Sequence, residues 1–284
     1  MTIHNLFKPF IPNPWRDKLG LWYFNLRESF AASRKPPFRS NPNKIILDIT
    51  YDCNLKCTMC NRSCQYAPSM DRMGIDQVER FIRESIAQKK KWIHIWLEGG
   101  EPSLHPQLSE ILDILNRYRR DYSPHTRIQI NTNGYGPEVH QALRRLPEWV
   151  HVFNSSKTSI HNAGFCPFNR APIDRLDQSV DYTTGCFSPS WYGFVLNMYG
   201  YYHCTCSAGI DRVIGLDIGR KHLPEPDDWM LDQKDALCRY CGHFLKNNAA
   251  RLDYRPSPDD PIMTPTWKEL YRRYHESVPC LTRY

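Results

Sequence analysis

Three cysteines in a C-x3-C-x2-C spacing, Cys53, Cys57 and Cys60, follow a run of apolar and β-branched residues, Ile45-Ile46-Leu47-Asp48-Ile49-Thr50, that reads as a strand. A loop at a strand end can turn three thiolates toward one point. Four thiolates saturate a zinc ion or a four-iron cluster, whereas three leave one iron of a 4Fe-4S cluster open to a further ligand. Spacing alone leaves two other readings open: zinc with Cys64 as the fourth ligand, or cysteines buried as small hydrophobes.

The chain around this loop has 284 residues and eleven cysteines, too few for a disulfide scaffold, where cysteine exceeds roughly 8–10%. It opens with no secretory signal, and no stretch approaches the ~20 apolar residues of a membrane span. The expectation is a cytoplasmic protein that uses cysteine for metal. The net charge of +7 is spread along the chain, apart from Lys89-Lys90-Lys91 at an expected helix end, where cations are favourable and solvated. Such a balance suits an anionic substrate. Nucleic acid is disfavoured, because no basic stripe interleaved with aromatics appears outside the N-terminal segment.

Residues 1–43 are rich in proline and aromatics, and Trp15, Leu19, Trp22, Leu26 and Phe30 mark one face of a helix over 15–32. After the cysteine loop, helices are expected over 74–89, 107–119 and 137–145, and strands over 92–97, 127–134 and 149–155. Strand and helix alternate with short connections, which predicts parallel βαβ units whose site lies at the strand C-terminal ends. Polar groups stand at those ends: Gly99-Gly100-Glu101-Pro102, Asn131-Thr132-Asn133-Gly134 and Ser155. Each could also be an ordinary turn.

Taken together and in order, CNLKCTMC, LEGGEP and NTNG resemble the motifs of the radical S-adenosylmethionine (SAM) superfamily. The resemblance implies that Cys53, Cys57 and Cys60 ligate a 4Fe-4S cluster whose open iron chelates SAM, and that an external one-electron donor such as flavodoxin or ferredoxin triggers cleavage to a 5′-deoxyadenosyl radical. It places Met59 beside the adenine and lets the backbone at Gly99 and Gly100 approach SAM. Glu101 then accepts from the SAM ammonium, and Asn131, Asn133 and Ser155 lie near the ribose and carboxylate or the substrate. Only about thirty residues separate Ser155 from Cys186, room for one further strand. The expected fold class is therefore α/β, a truncated partial (β/α) barrel over 44–185.

A second cysteine set follows. Two β-like runs, 191–197 and 201–206, flank Gly200 as a hairpin, with Cys186 before it, Cys204 and Cys206 on its second strand, and Cys238 and Cys241 after it. These supply four thiolates for a cluster or a zinc ion. The pattern resembles the SPASM and twitch extensions of the same superfamily, and implies an auxiliary 4Fe-4S cluster on Cys186, Cys204, Cys238 and Cys241 in a subdomain over 186–245, followed by a tail with a helix over 246–284. In the family four residues separate the turn glycine from the next cysteine. Here three precede Cys204 and five precede Cys206, so the choice between them stays open. Strand alternation would put both on one face, leaving Cys206 as a free thiol near the substrate or as an inert neighbour. Cys64, Cys166 and Cys280 read as buried free cysteines.

Three fates of a substrate radical fit this outline: oxidation through the auxiliary cluster, epimerisation with Cys206 as hydrogen donor, and peptide cross-linking. The last usually needs a leader-binding module of some eighty residues, which the N-terminal segment cannot form. Similar short twitch-bearing enzymes act on aminocyclitols and aminosugars, so the expectation is an oxidoreductase for a small carbohydrate- or aminocyclitol-like molecule. A non-catalytic iron-sulfur carrier would leave LEGGEP and the asparagines unexplained. Arg170, Arg175, Tyr199 and Tyr202 are unranked candidates for a proton acceptor.

Overall fold

A computed structural model describes residues 37–164, 168–176, 179–249, 252 and 262–284. The expected N-terminal helix and Cys166 lie outside the described residues. The first strand, β1 (Lys44–Thr50), is followed by a short β2 (Lys56–Met59) within the cysteine loop. Then come α1 (Ile75–Ala87), β3 (His94–Gly99), α2 (Leu108–Asp121), β4 (Arg127–Thr132), α3 (Pro137–Arg144) and β5 (His151–Asn154). This alternation matches the sequence reading to within a few residues at each end.

The outer face of the sheet is apolar because Ile45, Leu47, Ile49, Ile95, Leu97, Ile128 and Ile130 alternate outward, all at most 1% exposed and packed in one core with Val78 and Phe81 of α1 and Ile111, Leu112 and Leu115 of α2. Full burial of such a side chain contributes roughly 1.5–3 kcal/mol each. The same alternation turns Asp48, Glu98 and Asn131 to the inner face.

From β5 the chain does not continue the series. The strand allowed for by the spacing exists, β6 (His161–Gly164), but it pairs parallel with β2 in a separate two-stranded sheet. After α4 (Ser188–Tyr192), β7 (Phe194–Asn197) returns to the other edge of β1 and runs parallel to it, and β8 (Gly200–Tyr202) folds back antiparallel. The sheet order is β5-β4-β3-β1-β7-β8. The fold is thus α/β with a mostly parallel sheet, consistent with a partial barrel, and the hairpin of the second cysteine segment is part of that sheet.

The second strand of the hairpin stops at Tyr202, so the placement of Cys204 and Cys206 on one strand face is corrected. Cys204 is the extended N-cap of α5 (Thr205–Ile214), its sulfur accepting from Ser207 N at 3.4 Å, and Cys206 lies in the first turn. Residues two apart on a helix point in widely different directions. A helix prevails here because Ala208, Ile210 and Val213 supply an apolar stripe buried against the second core, which a continued strand would not have offered. The chain ends with α6 (Leu231–Cys238), α7 (Gly242–Asn247) and α8 (Pro265–Glu276).

Candidate functional site

The loop after β1 brings Cys53, Cys57 and Cys60 to the C-terminal edge of the sheet, all partly buried. The three thiols act on one another electrostatically: burial pushes Cys53 up to about 12 and Cys57 up as well, and the charge of Cys60 adds to both. A hydrogen bond from Cys64 lowers Cys60 to about 6, so Cys64, read in the sequence as a buried free cysteine or a fourth zinc ligand, is a partner to the triad. Cys57 and Met59 lie two apart on β2 and share a face. Gly164 of β6, at φ +91°, lets the pairing with Met59 close, since a Cβ there would come within 2.6 Å of the Met59 carbonyl oxygen.

Gly99 and Gly100 approach the cysteine loop itself. A Cβ on Gly99 (φ +135°) would stand 2.1 Å from Thr50 O, and one on Gly100 2.2 Å from Asp52 O. The amides of Gly100 and Glu101 donate to Thr50 O and Asp52 O at 2.7 and 2.8 Å. The glycines therefore seat the loop on the end of β3.

Glu101 is fully buried. Its Oε1 accepts from Ser103 N, Ser103 Oγ and Thr132 Oγ1 at 3.1, 2.6 and 2.8 Å, and its Oε2 from Asn133 N at 2.7 Å. This carboxylate ties the ends of β3 and β4 together, leaving Oε2 capacity for one more donor. Glu101→Gln is expected to destabilise the fold by about 1.5–3 kcal/mol, the scale of hydrogen bonds to a charged group, as a fall in the denaturant midpoint. An unchanged midpoint with weakened SAM binding would show that the carboxylate serves the ligand alone.

Asn133 joins β4 to the cysteine loop, donating from Nδ2 to Asn54 Oδ1 at 2.8 Å while Asn54 Nδ2 donates to Tyr135 O at 2.6 Å. Ser155 Oγ donates to Thr132 O at 3.1 Å. Asn131 donates to Glu98 and accepts from Gln129 Nε2 at 2.6 Å. Glu98 and Asp48, paired across β3 and β1, are bridged by Arg62, whose Nη2 reaches both, with Asp48 Oδ1 at 2.8 Å. The sequence motifs do not single out this ion-paired group. Its signal is the alternation of β1 and β3, which sends two carboxylates to a face that must supply a cation, and Arg62 follows Cys60 by two residues.

Five cysteines converge at the second centre. Cys186 is pushed up to about 12 by burial and feels Cys241 and Cys204, while Cys238 feels Cys204, Cys186 and Cys241. Cys206 hydrogen-bonds Cys204, which holds the Cys204 thiol well below its ordinary range, and Cys206 also meets Cys241. Cys204 caps α5, where the helix dipole favours a thiolate, whereas Cys206 in the first turn is pushed well above its ordinary range by its hydrogen bonds with Cys204 and Cys241. Two histidines join them: His203 Nε2 lies 3.6 Å from Cys238 Sγ, and His243 Nδ1 3.4 Å from Cys206 Sγ. Among the described residues, Cys206, Cys241 and His243 are the group whose donor atoms all lie within 4.8 Å of one another. The signal for His243 was its place two residues after Cys241.

Tyr199 and Tyr202 are unsuited as bases. Their hydroxyls donate to Asp71 and Asp211 at 2.6 and 2.8 Å, and burial first, with those carboxylates, raises both above the ordinary phenol range.

An open parallel sheet with a cysteine loop at its C-terminal edge is what the family comparison meets: residues 47–163 match the model of the Radical SAM superfamily. Iron-sulfur, metal and SAM binding go with that family. GTP 3′,8-cyclase 3 of Mycobacterium bovis and that of Mycobacterium tuberculosis are each 30% identical over 90 residues, 31% of this chain and 23% of theirs. A protein of Methanocaldococcus jannaschii named as a candidate glycyl-radical enzyme activating enzyme is 30% identical over 125 residues, 40% of this chain and 44% of its own. The chain thus spans less than half the length of these curated relatives. A crystal structure of BtrN in complex with AdoMet and 2-DOIA superposes with a TM-score of 0.42 at 17% identity, covering 72% of this chain and 90% of BtrN. Among the described residues no helix is long and apolar enough to cross a membrane.

Proposed function

We propose that this chain is a radical SAM oxidoreductase acting on a small polar, carbohydrate- or aminocyclitol-like molecule, with a SAM-binding 4Fe-4S cluster on Cys53, Cys57 and Cys60 and an auxiliary 4Fe-4S cluster on Cys186, Cys204, Cys238 and Cys241. The donor sets fit: three thiols with an open position at the strand ends, and four thiols plus a fifth at a helix start. When bound, the first cluster and SAM supply hydrogen abstraction from an unactivated carbon. SAM would lie along the strand ends, bordered by Met59, Gly99, Gly100, Asn131 and Ser155, with Glu101 and Asn133 fixing the backbone there. A flavodoxin or ferredoxin and a cytoplasmic setting complete the reading.

The observation that carries it is the ion-paired polar group of Asp48, Arg62, Glu98 and Asn131 on the inner face beside the cysteine loop. Glu98 and Asn131 offer the acceptors and donors that orient a substrate rich in hydroxyl or amino groups, and Arg62 is ion-paired to Glu98. Oxidation is favoured over epimerisation because Cys206 is 6% exposed and engaged by Cys204, Cys241 and His243, which leaves it badly disposed to quench a substrate radical. Cys206→Ala is expected to keep both clusters, SAM cleavage and turnover in anaerobic assays. Lost turnover with both clusters intact, together with solvent deuterium at carbon in the wild-type product, would make Cys206 the hydrogen donor. The compact Cys206, Cys241 and His243 group favours one second reading, a single metal ion at the second centre, which zinc in purified protein would reveal.

A further inference from the structure

The second cysteine centre has a cation built into its wall. Lys234 stands four residues before Cys238 on α6, which puts both on one face of that helix. Its stem runs past Gly185, the residue before Cys186: a Cβ on Gly185 (φ +63°) would meet Lys234 Cδ and Cε at 3.4 and 3.5 Å. The residue is 1% exposed, and its ammonium donates to Phe38 O at 2.7 Å and lies 5.8 Å from the ring centroid of Trp229.

An ammonium has three N–H donors. Among the described residues the Phe38 carbonyl is the hydrogen-bond acceptor that Lys234 Nζ reaches, and no carboxylate is in ion-pair contact with it. Arg39, over the same Trp229 ring at 5.4 Å, adds a second positive charge and no anion. One carbonyl and an aromatic face do not offset the cost of taking a full charge out of water, whereas a neighbouring anion does. The groups of negative sign that act on Lys234 are the thiols of Cys238, Cys204 and Cys186, which work against the fall that burial imposes on it.

We infer that Lys234 is the counter-charge of the auxiliary cluster and raises its reduction potential, fitting the second centre to accept an electron. This rests on the proposed function and assigns the charge balance of that centre to one residue. A 4Fe-4S centre on four thiolates is net negative and gains a further negative charge on reduction, so a fixed cation beside its ligands favours the reduced state. Burial keeps salt from screening that effect.

An EPR-monitored redox titration of the fully loaded wild-type protein and of Lys234→Met tests the inference, with iron counted on the same samples. Added SAM perturbs the signal of the first cluster and so tells the two apart. Lys234→Met keeps the stem and removes the charge. It is expected to lower the midpoint of the second cluster by about 59 mV or more, a tenfold change in a one-electron equilibrium, while the first cluster keeps its midpoint. Lys268→Met, which removes an exposed charge from α8, should move neither. Should Lys234→Met fail to load the second centre, Lys234→Arg is the second variant: loading restored with the charge supports the inference, and loading no better than in Lys234→Met overturns it. An unmoved second midpoint, or equal shifts in both clusters, would also overturn it. About four irons and a single signal in the wild type would remove the auxiliary cluster itself, and the role of Lys234 with it, a failure read separately from an unmoved midpoint.

Discussion

Protein in which Cys53, Cys57 and Cys60 are all replaced by alanine is expected to lose SAM cleavage entirely while keeping about four of about eight irons, as two four-iron clusters require. The core beneath the loop should survive, because Ile45, Leu47 and Ile49 are anchored by the helices on the outer face, not by the thiols. Iron and 5′-deoxyadenosine would be measured on the same anaerobically reconstituted sample. Iron falling to zero would show that the second centre holds none of its own, and persistent 5′-deoxyadenosine would remove the triad from the reaction.

Arg62→Leu should bring the largest loss of stability. Asp48 is fully buried, takes two hydrogen bonds from Arg62 at 3.1 and 2.8 Å, and leaves its other oxygen without a partner. Removing one member of a buried ion pair costs about 3–5 kcal/mol, because the other charge stays buried and unpaired. The pH dependence has a definite sign. Burial already raises Asp48 above its ordinary value, Arg62 working against that rise. A carboxyl whose folded value is raised lends stability below its unfolded value, near pH 4, and loses it as pH rises through the folded value. Loss of Arg62 lifts the folded value further, so denaturant melts should show a smaller penalty near pH 5 than at pH 8. Equal penalties at both would mean that the guanidinium contributes packing and not charge.

Much of this molecule was legible in the chain because its signals were local. Alternation along 45–50, helical spacing in 108–115 and three cysteines after a strand need no partner to be read. The alternation of β1 and β3 also held the pairing of Asp48 with Glu98, although their common partner Arg62 arrives from a loop that no periodicity describes. What stayed hidden depended on long-range closure. The pairing of β6 with β2 joins residues about a hundred positions apart, and four-residue strands carry too little pattern to announce their partners. Around Cys204 the run Tyr201–Cys206 alternated like a strand, yet packing of the following apolar stripe against the second core decided for a helix. The donors around Glu101 were equally hidden, since Thr132 and Asn133 reach it only once β3 and β4 lie side by side.

The insertion of β7 beside β1 changes how the two cysteine centres relate. Ile45, Ile46 and Leu47 face Ile95–Leu97 on one side and Phe194–Leu196 on the other, so one strand is the shared spine of both. The second centre is therefore not a cassette that could be lifted away or exchanged. Taking it out would leave β1 as a bare apolar edge, the kind of edge that recruits other chains. Deleting the β7–β8 hairpin is therefore expected to cost solubility as well as the second centre.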